Sequence, residues 1–400
     1  MNNVNLKTPY YMFYANEFID NYHDLEESMR AIYPNYQIAY SFKTNYTPAV
    51  CNIVKKLGGY AEVVSDMEYS LALKIGFEVN HIIYNGPGKG VMLEHCILNG
   101  GLLNIDNIRE FKKICEIAKQ NPNKYMKVGL RVNFDVGNGL LSRFGLDSNS
   151  TEFVDVLNTI RNIENIELSG LHFHISRARD LESWKKRVIG MLSLVEKYKL
   201  DNLQYIDLGS GMYGRLDSEL QEQFGNTPTY RDYAEIVAGE MSRFYANKGM
   251  KPILFTEPGT TIVSKYFHVF MKVLDIKSIR GKYFALLDGS FHNVGEICGL
   301  KKVPMRIKHI CEGIDYQNVD FVGYTCLEQD VIYSGYSGEL SIGDEVEVCN
   351  VGGYSIVDKP PFIHPDIPAY MQKDNQLICI KREQTLDDIF APYIFEMTES

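Results

Sequence analysis

Long hydrophobic runs are missing from this 400-residue sequence. No apolar segment approaches the roughly 20 residues that a helix needs to cross a bilayer. The first residues, MNNVNLKTPYY, also lack the apolar core of a signal peptide. We therefore expect a cytoplasmic protein that makes no contact with a membrane.

Paired cysteines and an excess of positive charge are missing as well. The eight cysteines show no CxxC pair and no His/Cys cluster at metal-site spacing, so the sequence predicts reduced thiols and no metal. The 41 basic residues are outnumbered by 51 acidic ones, and the net charge of −10 argues against a nucleic-acid-binding surface. What remains is the composition of a soluble globular protein.

Alternation of strand-like and helix-like segments fills the first two-thirds of the chain. One of the helices is predicted after Thr47 as N-cap, with Pro48 at its first position, and another opens with a capping box over residues 65–68. The predicted strands are 37–42, 60–64, 81–85, 101–105, 127–134, 169–175, 203–209 and 253–257. Eight such units predict a (β/α)₈ barrel, with a doubly wound sheet as the alternative.

The pattern changes after Val263, where strand-like segments follow one another with few helical patterns between them. This succession of strand-like segments predicts a β-rich domain, either a barrel or a sandwich. The N-terminal segment TPYYMFY also has the pattern of a strand. We therefore assign residues 14–264 to a (β/α)₈ barrel, and residues 1–13 and 265–400 to a C-terminal β-rich domain that the N-terminal strand completes.

Polar side chains gather where six of the predicted barrel strands end. On a (β/α)₈ barrel this is the end that carries catalytic residues. Any one of these side chains alone is explained by a structural role, but six polar strand ends together favour a site. They are Lys43, Glu62, Arg131, Asn133, His172, His174, Asp207 and Glu257.

A glycine-rich turn, IDLGSGMYG (206–214), follows the seventh predicted strand. Its backbone N–H groups could hold a phosphate, although an ordinary turn is as good an explanation. It is neither a P-loop nor a dinucleotide fingerprint, because it lacks GK(S/T) and the early βαβ context. A lysine amine, a phosphate loop, a carboxylate and a histidine are together what pyridoxal 5′-phosphate needs from a protein.

These segments make the chain resemble the fold-type III pyridoxal-phosphate decarboxylases, the family of diaminopimelate, ornithine and arginine decarboxylases, whose barrel is alanine racemase-like. YSFKTN resembles YA(L/V)KAN, which implies that Lys43 carries the cofactor, and GLHFHIS resembles GLHCHIGS, which implies that His174 stacks on its ring. DLGSGM resembles the D(I/L)GGG phosphate loop and EPGT resembles EPGR. The residues then assigned to the cofactor besides Lys43 and His174 are Gly209, Ser210, Gly211, Glu257 on the pyridine nitrogen, Gly259, Thr260 and Arg131.

Two further matches fall in the β-rich part of the chain. YTCLEQDV resembles the CESGD segment, which implies that Cys326 donates the proton to Cα and enters the site from the partner of a homodimer. GGYS resembles GAY(T/G), which implies that Tyr354 reaches the phosphate. The resemblance therefore covers nearly the whole chain, with six motifs in the family's order.

Three positions depart from the family's pattern. Thr260 replaces an arginine near the phosphate, and Arg177 either restores that charge or is an ordinary surface arginine. Leu327 replaces a glutamate that binds the distal end of diaminopimelate, so we expect another substrate. Glu328, Asp330 and Asp358 would suit a basic amino acid, whereas Arg177 or Arg179 would suit a distal carboxylate or a conjugated amino acid.

The resemblance implies an amino-acid decarboxylase that releases CO₂ from the α-carboxylate. An amino-acid racemase on the same fold is one alternative, and Glu257 argues against it, because racemases of this fold place an arginine at the pyridine nitrogen. A non-catalytic carrier of the cofactor is the other, and Cys326 and Tyr354 in a second domain argue against it. The substrate and its chirality stay open.

Overall fold

The computed structural model describes residues 6–137, 139–295 and 297–395. It divides into two compact units. The barrel unit comprises residues 20–215 and 226–262, and the β unit comprises the described residues of 1–19, 216–225 and 263–400. Residues 1–5 and 396–400, which the sequence assigned to the β-rich domain, lie outside the described residues.

The strands and helices of the two units are numbered along the chain. The strands are β1 (Tyr10–Tyr14), β2 (Tyr36–Ser41), β3 (Tyr60–Val63), β4 (Ile82–Tyr84), β5 (Leu102–Ile105), β6 (Met126–Asn133), β7 (Leu146–Asp147), β8 (Ile166–His172), β9 (Tyr205–Asp207), β10 (Ile253–Thr256), β11 (Phe267–Ile279), β12 (Lys282–Leu287), β13 (Met305–Lys308), β14 (Ile314–Val322), β15 (Val331–Leu340), β16 (Glu345–Val348), β17 (Ala369–Lys373) and β18 (Gln376–Lys381). The helices are α1 (Ala15–Arg30), α2 (Pro48–Lys56), α3 (Asp66–Ile75), α4 (Met92–Leu98), α5 (Ile108–Gln120), α6 (Thr151–Asn162), α7 (Leu181–Lys197), α8 (Ser218–Phe224), α9 (Tyr230–Tyr245), α10 (Thr260–Val263), α11 (Phe291–Val294), α12 (Ile297–Leu300) and α13 (Leu386–Phe390). No helix among the described residues is both long and apolar enough to span a membrane.

The barrel unit is built on eight parallel strands that close on themselves. Strands β2 to β6 and β8 to β10 pair in sequence, and β10 returns to β2 with Leu254 opposite Tyr36. The short strand β7, which the sequence did not predict, pairs only with β6. The predicted (β/α)₈ barrel is confirmed, and the doubly wound alternative is wrong because the first and last strands are hydrogen-bonded to each other.

The barrel interior is filled by Tyr205, which two glycines allow to reach across. A Cβ on Gly170 would lie 2.1 Å from the Tyr205 ring, and a Cβ on Gly129 would lie 2.1 Å from its hydroxyl. The Tyr205 hydroxyl donates to Asn104 Oδ1 at 2.7 Å. Ala39, Ile83 and Phe255 pack around the ring. The barrel is therefore a packed core, and its chemistry must lie at the strand ends.

Two helix starts differ from prediction. Thr47 precedes α2, but its side chain makes no capping bond. At α3, Ser65 accepts the Glu68 N–H at 3.2 Å, while the Glu68 carboxylate bonds the N–H of Val64 instead of that of Ser65. Only half of the predicted capping box is therefore formed.

The β unit contains one nine-stranded sheet. Its main path runs β15-β14-β12-β11-β1-β17-β18, and β16 joins β11 to β13. Strand β1 pairs antiparallel with β11 and parallel with β17, and stacked rings such as Phe13 on Phe267 accompany the first pairing. The predicted β-rich second domain is confirmed. The segment 216–225, which includes α8, belongs to this unit, because Gln223 bonds the backbone of Lys302 in both directions.

Candidate active site

Lys43 follows β2 in a single helical turn, Phe42–Thr44. Its Nζ lies 2.6 Å from Oε2 of Glu62 on β3 and 2.7 Å from the Ser41 hydroxyl, which itself donates to the same carboxylate oxygen. Glu62 is buried, whereas one third of the Lys43 side chain is exposed. The amine is therefore held by a buried carboxylate although the side chain is partly exposed, unlike a lysine that merely packs its stem at the rim.

Two asparagines that the sequence did not single out connect Glu62 to Glu257. Asn85 Nδ2 donates to Glu62 Oε1 at 3.1 Å and to Glu257 Oε1 at 2.5 Å. Asn104 Nδ2 donates to Asn85 Oδ1 at 2.8 Å and so fixes the orientation of that amide. All of these groups except Lys43 are buried. The sequence carries one signal for them: each of the strands β3, β4 and β5 contains a polar residue or is followed directly by one.

Glu257 follows β10 and is an anion. Burial by itself would raise its pKa, but His172, whose Nε2 lies 3.4 Å away, and Lys43 outweigh burial, so the pKa of Glu257 is lowered. One ring nitrogen of His172 and one carboxylate oxygen each of Asp207 and Glu257 lie within 4.8 Å of one another. Burial and the neighbouring Glu257 raise the pKa of Asp207 well above its usual range. The pKa values of the two neighbouring carboxyl groups therefore move in opposite directions, which favours the protonated form of Asp207 and the anion of Glu257.

His174 lies just beyond the end of β8, although the sequence placed it within a strand. Its Nδ1 accepts the N–H of Ser210 at 3.1 Å. Burial lowers the pKa of His174 well below its usual range. The ring is therefore neutral, with its proton on Nε2, and it is fixed against the glycine loop.

The glycine loop 209–211 comes directly after β9. Gly209 and Gly211 have φ angles of +65° and +108°. A Cβ on Gly209 would lie 2.7 Å from both His174 Nδ1 and the carbonyl oxygen of Phe173. The loop therefore needs glycine both for its backbone conformation and for its close approach to the histidine.

The loop after β10 presses against the turn that carries Lys43. A Cβ on Gly259 would meet the hydroxyl of Thr44 at 2.0 Å. Thr260 begins α10 and is half-buried. The barrel unit thus brings together Lys43, His174, the glycine loop, Glu257, Gly259 and Thr260, each at the same end of the barrel strands.

The three arginines predicted for the site differ in their burial and in their contacts. Arg131 is buried, donates to Asp106 at 3.1 Å and lies over the ring of Phe144. Arg179 donates to the carbonyl of Met212 and lies over Tyr213. Arg177 is exposed and has a φ of +62°. Arg131 and Arg179 are therefore engaged in contacts within the barrel unit, and Arg177 is the most exposed of the three.

The predicted proton donor and its neighbours lie in the β unit. Cys326 and Glu328 are exposed in the turn between β14 and β15. Asp330 is buried, and its carboxylate accepts the N–H groups of Phe291 and Thr325 and the hydroxyl of Thr325. The oxygens of Asp330 therefore hold the turn that carries Cys326, and its assignment to the substrate stays a prediction.

Tyr354 and Asp358 line one pocket of about 330 Å³ in the β unit. Other residues of its wall are His292, Cys298 and Gln329. Tyr354 is 38% exposed and has a φ of +54°. The pocket therefore offers a phenol, an imidazole and a carboxylate, and its wall contains no lysine or arginine among the described residues.

A second polar cluster in the β unit was not visible from sequence spacing. A ring nitrogen of His268, a carboxylate oxygen of Glu347 and the Sγ of Cys349 lie within 4.8 Å of one another across β11 and the end of β16. Arg306 donates to Cys349 Sγ at 2.5 Å and lies 3.9 Å from Glu347. Because this guanidinium and His268 already pair with the Glu347 carboxylate, we interpret the cluster as an ion-pair network.

The barrel site fits pyridoxal phosphate on its own geometry. It has a lysine amine on a partly exposed side chain, a buried anion and a loop whose close packing excludes any side chain at Gly209. Lys43 would hold the aldehyde carbon, Glu257 the ring nitrogen and loop 209–211 the phosphate.

Comparison with known proteins agrees with this fit. The chain is 26% identical to the diaminopimelate decarboxylase of Bacteroides thetaiotaomicron over 87% of its length and 91% of the relative's. It is 25% identical to the L-glutamyl-[BtrI acyl-carrier protein] decarboxylase of Niallia circulans over 98% of its length and 95% of the relative's. The crystal structure of diaminopimelate decarboxylase from Helicobacter pylori complexed with L-lysine superposes with a TM-score of 0.83, at 22% identity and 97% coverage of both chains.

One family model covers the barrel unit. The pyridoxal-binding domain of the pyridoxal-dependent decarboxylases matches residues 19–264, more than half of the chain. The chain therefore belongs to the pyridoxal-dependent decarboxylase family, and it is an amino-acid decarboxylase whose cofactor is pyridoxal phosphate.

Proposed function

We propose that this enzyme releases CO₂ from the α-carboxylate of an amino acid other than diaminopimelate, with Lys43 carrying the cofactor and Cys326 donating the proton to Cα. The observation that supports the assignment best is the pair of Lys43 and Glu62, joined through Asn85 to the anionic Glu257. Under this proposal the covalent handle and the ring-nitrogen partner belong to one hydrogen-bonded network.

Lys43 needs a neutral amine to react, and the chain offers an acceptor for its proton. The ammonium contacts both Glu62 and Ser41, so the proton can pass to the carboxylate directly. When it is bound, pyridoxal phosphate supplies a conjugated ring that accepts the electron pair left on Cα as CO₂ departs. Glu257 would keep the ring nitrogen protonated by charge pairing, because its own pKa is low.

Neutral His174 would contribute a ring face rather than a charge. Its orientation is set by the N–H of Ser210. Cys326 lies in an exposed turn held by Asp330. In the β unit, Tyr354 would complete the phosphate site, as the family resemblance implies. We further propose that Cys326 serves the barrel of the partner in a homodimer.

The substrate proposal rests on Leu327. This half-buried residue takes the place of the family's distal-group glutamate. The nearby pocket presents Asp358 without a lysine or arginine in its described wall, and Glu328 is exposed. These features favour a distal ammonium or guanidinium, so the preferred substrate is a basic amino acid that lacks the second carboxylate of diaminopimelate.

A second candidate substrate is an amino acid conjugated to a carrier. The relative from Niallia circulans, which this chain matches over 98% of its length, is named for a glutamyl group on an acyl-carrier protein. Exposed Arg177 is the residue of this chain that favours such a substrate.

Covalent trapping tests the cofactor assignment. Borohydride reduction of the holoenzyme, followed by peptide mapping, should place a pyridoxyl group on Lys43 and on no other lysine. The Lys43→Ala variant is the control and should remain unlabelled. A label on another lysine in the wild-type enzyme would end the assignment of Lys43.

Substrate choice needs a separate assay. CO₂ release and the D/L composition of the unreacted amino acid are measured together across D- and L-ornithine, lysine, arginine, glutamate, diaminopimelate and a carrier-bound glutamate. We expect CO₂ release without racemisation, highest with a basic amino acid. If diaminopimelate is the best substrate, the substrate proposal is wrong while the decarboxylase assignment stands.

A further inference from the structure

Arg187 is a buried arginine on the inner face of α7. It has no exposed surface and shares that face with Trp184 and Val188. Burial lowers its pKa to about 9, so the guanidinium is still charged at neutral pH. A charge in this position is costly unless something compensates it.

Backbone carbonyls surround this guanidinium. Nη1 donates to the carbonyls of Leu208 at 2.9 Å and Ser210 at 2.7 Å, and Nη2 lies 3.4 Å from the carbonyl of Ala178. The group also stacks on Trp184 at 4.0 Å. Among the described residues no carboxylate forms an ion pair with it. Backbone dipoles therefore hold the cation in place, and the carboxylates of Glu257 and Asp180 act on it only through space, without a direct ion pair.

The guanidinium lies directly behind the glycine loop. A Cβ on Gly211 would lie 3.9 Å from Arg187 Nη2. Because a trans peptide points its C=O and N–H in opposite directions, the pull of Arg187 on the Ser210 carbonyl turns the N–H of Gly211 away from the guanidinium. The loop thus presents a donor on one side and has a fixed positive charge on the other.

We infer that Arg187 is a positioning residue for the cofactor's phosphate: it shapes loop 209–211 and supplies, through the loop, the positive charge that Thr260 does not. The sequence departs from the family's EPGR at Thr260, and the site already holds the anions Glu62 and Glu257. A phosphate dianion there needs a nearby cation. Arg177, the sequence-based candidate, is exposed, whereas Arg187 contacts the loop itself.

The test compares two ligands that differ only in the phosphate. Apoenzyme is prepared, and the dissociation constants of pyridoxal 5′-phosphate and of pyridoxal are measured by equilibrium dialysis. In Arg187→Gln the affinity for pyridoxal phosphate should fall by about tenfold or more, with less than about twofold change for pyridoxal. Lys186→Gln, which removes an exposed charge from the same helix, is the matched control and should change neither constant.

Two more variants separate the charge from the packing. Arg187→Lys keeps the charge in a smaller volume and should retain more of the selectivity for the phosphate than Arg187→Gln. Adding Thr260→Arg to Arg187→Gln should restore the selectivity for pyridoxal phosphate over pyridoxal. Equal weakening of both ligands in Arg187→Gln, or equal selectivity in the Lys and Gln forms, would overturn the inference. Because the readout is ligand binding, it does not depend on which amino acid is the substrate.

Discussion

At the scale of single residues, Asp207 and Glu257 show how one site holds two carboxyl groups in different protonation states. Both are buried. Glu257 receives a hydrogen bond from Asn85 and lies near His172, whereas Asp207 faces the charge of Glu257. The pKa values therefore move in opposite directions, and only Glu257 is available as an anion for the ring nitrogen.

This difference predicts unequal effects of two neutral substitutions. Glu257→Gln should leave pyridoxal phosphate bound but slow CO₂ release by about 10²-fold or more, since an amide cannot hold the ring nitrogen by charge. Asp207→Asn is the matched control and should cost far less, because Asp207 already carries its proton. Steady-state rates at saturating cofactor measure both. Near wild-type turnover in Glu257→Gln would refute the proposed role.

Glu68, near the turn of Lys43, provides a test by pH. Burial is the main reason that its pKa rises from 4.5 to about 7. Below pH 4.5 the folded and unfolded chains both carry the proton. Between pH 4.5 and 7 only the folded chain keeps it, so the free energy of unfolding falls as pH rises, by up to about 3 kcal/mol.

Glu68→Gln should therefore gain stability relative to wild type as the pH rises from 4.5 to 7. The amide oxygen can still accept the N–H of Val64, which the carboxylate accepts now. Denaturant unfolding of both proteins at several pH values measures the difference. Glu94→Gln, at an exposed position of α4, is the control, and a flat difference for Glu68→Gln would contradict the expectation.

At the scale of elements, the alternating strand and helix patterns were sufficient to predict the eight barrel strands, because buried parallel strands appear as short apolar runs. Their ends were less predictable. The apolar run at 169–175 continued past His172, where β8 ends, since Phe173 and Ile175 are buried in the following loop. The segment 216–225 belongs to the β unit because Gln223 bonds Lys302. This contact joins segments that are far apart in the sequence, so no local sequence pattern predicts it.

The turn between β14 and β15 is an element whose shape depends on one side chain. Asp330→Ala would leave the N–H groups of Phe291 and Thr325 without their acceptor. We expect a loss of about 1–3 kcal/mol in the stability of the β unit, and a lower rate because Cys326 is no longer held. Glu328→Ala, exposed in the same turn, should not reduce stability. Equal losses in the two variants would contradict the bracing role of Asp330.

At the scale of the whole molecule, the six motifs identified the family and its cofactor, since each is a short segment tied to one function. Residues that act through these segments were not predicted. Asn85, Asn104 and Arg187 contact them only in the folded barrel. Arg187 had one signal in the sequence, a charge at a core position of an amphipathic helix, three residues after Trp184. That signal identifies an unusual residue but not the loop that it supports.

The proposed shared sites predict recovery of activity on mixing two inactive proteins. Lys43 lies in the barrel unit and Cys326 in the β unit, and homodimers of Lys43→Ala or Cys326→Ala should each be inactive. After random subunit exchange, half of the dimers are mixed and each has one intact site of two, so about a quarter of wild-type activity is the ceiling for a symmetric dimer. Exchange is verified by mass spectrometry, and Lys186→Gln, which changes an exposed side chain of α7, mixed with Lys43→Ala controls for the effect of exchange itself. No recovery despite proven exchange would place Cys326 in its own subunit's site or remove it from catalysis, because only a site built across the interface can be repaired by combining two different defects.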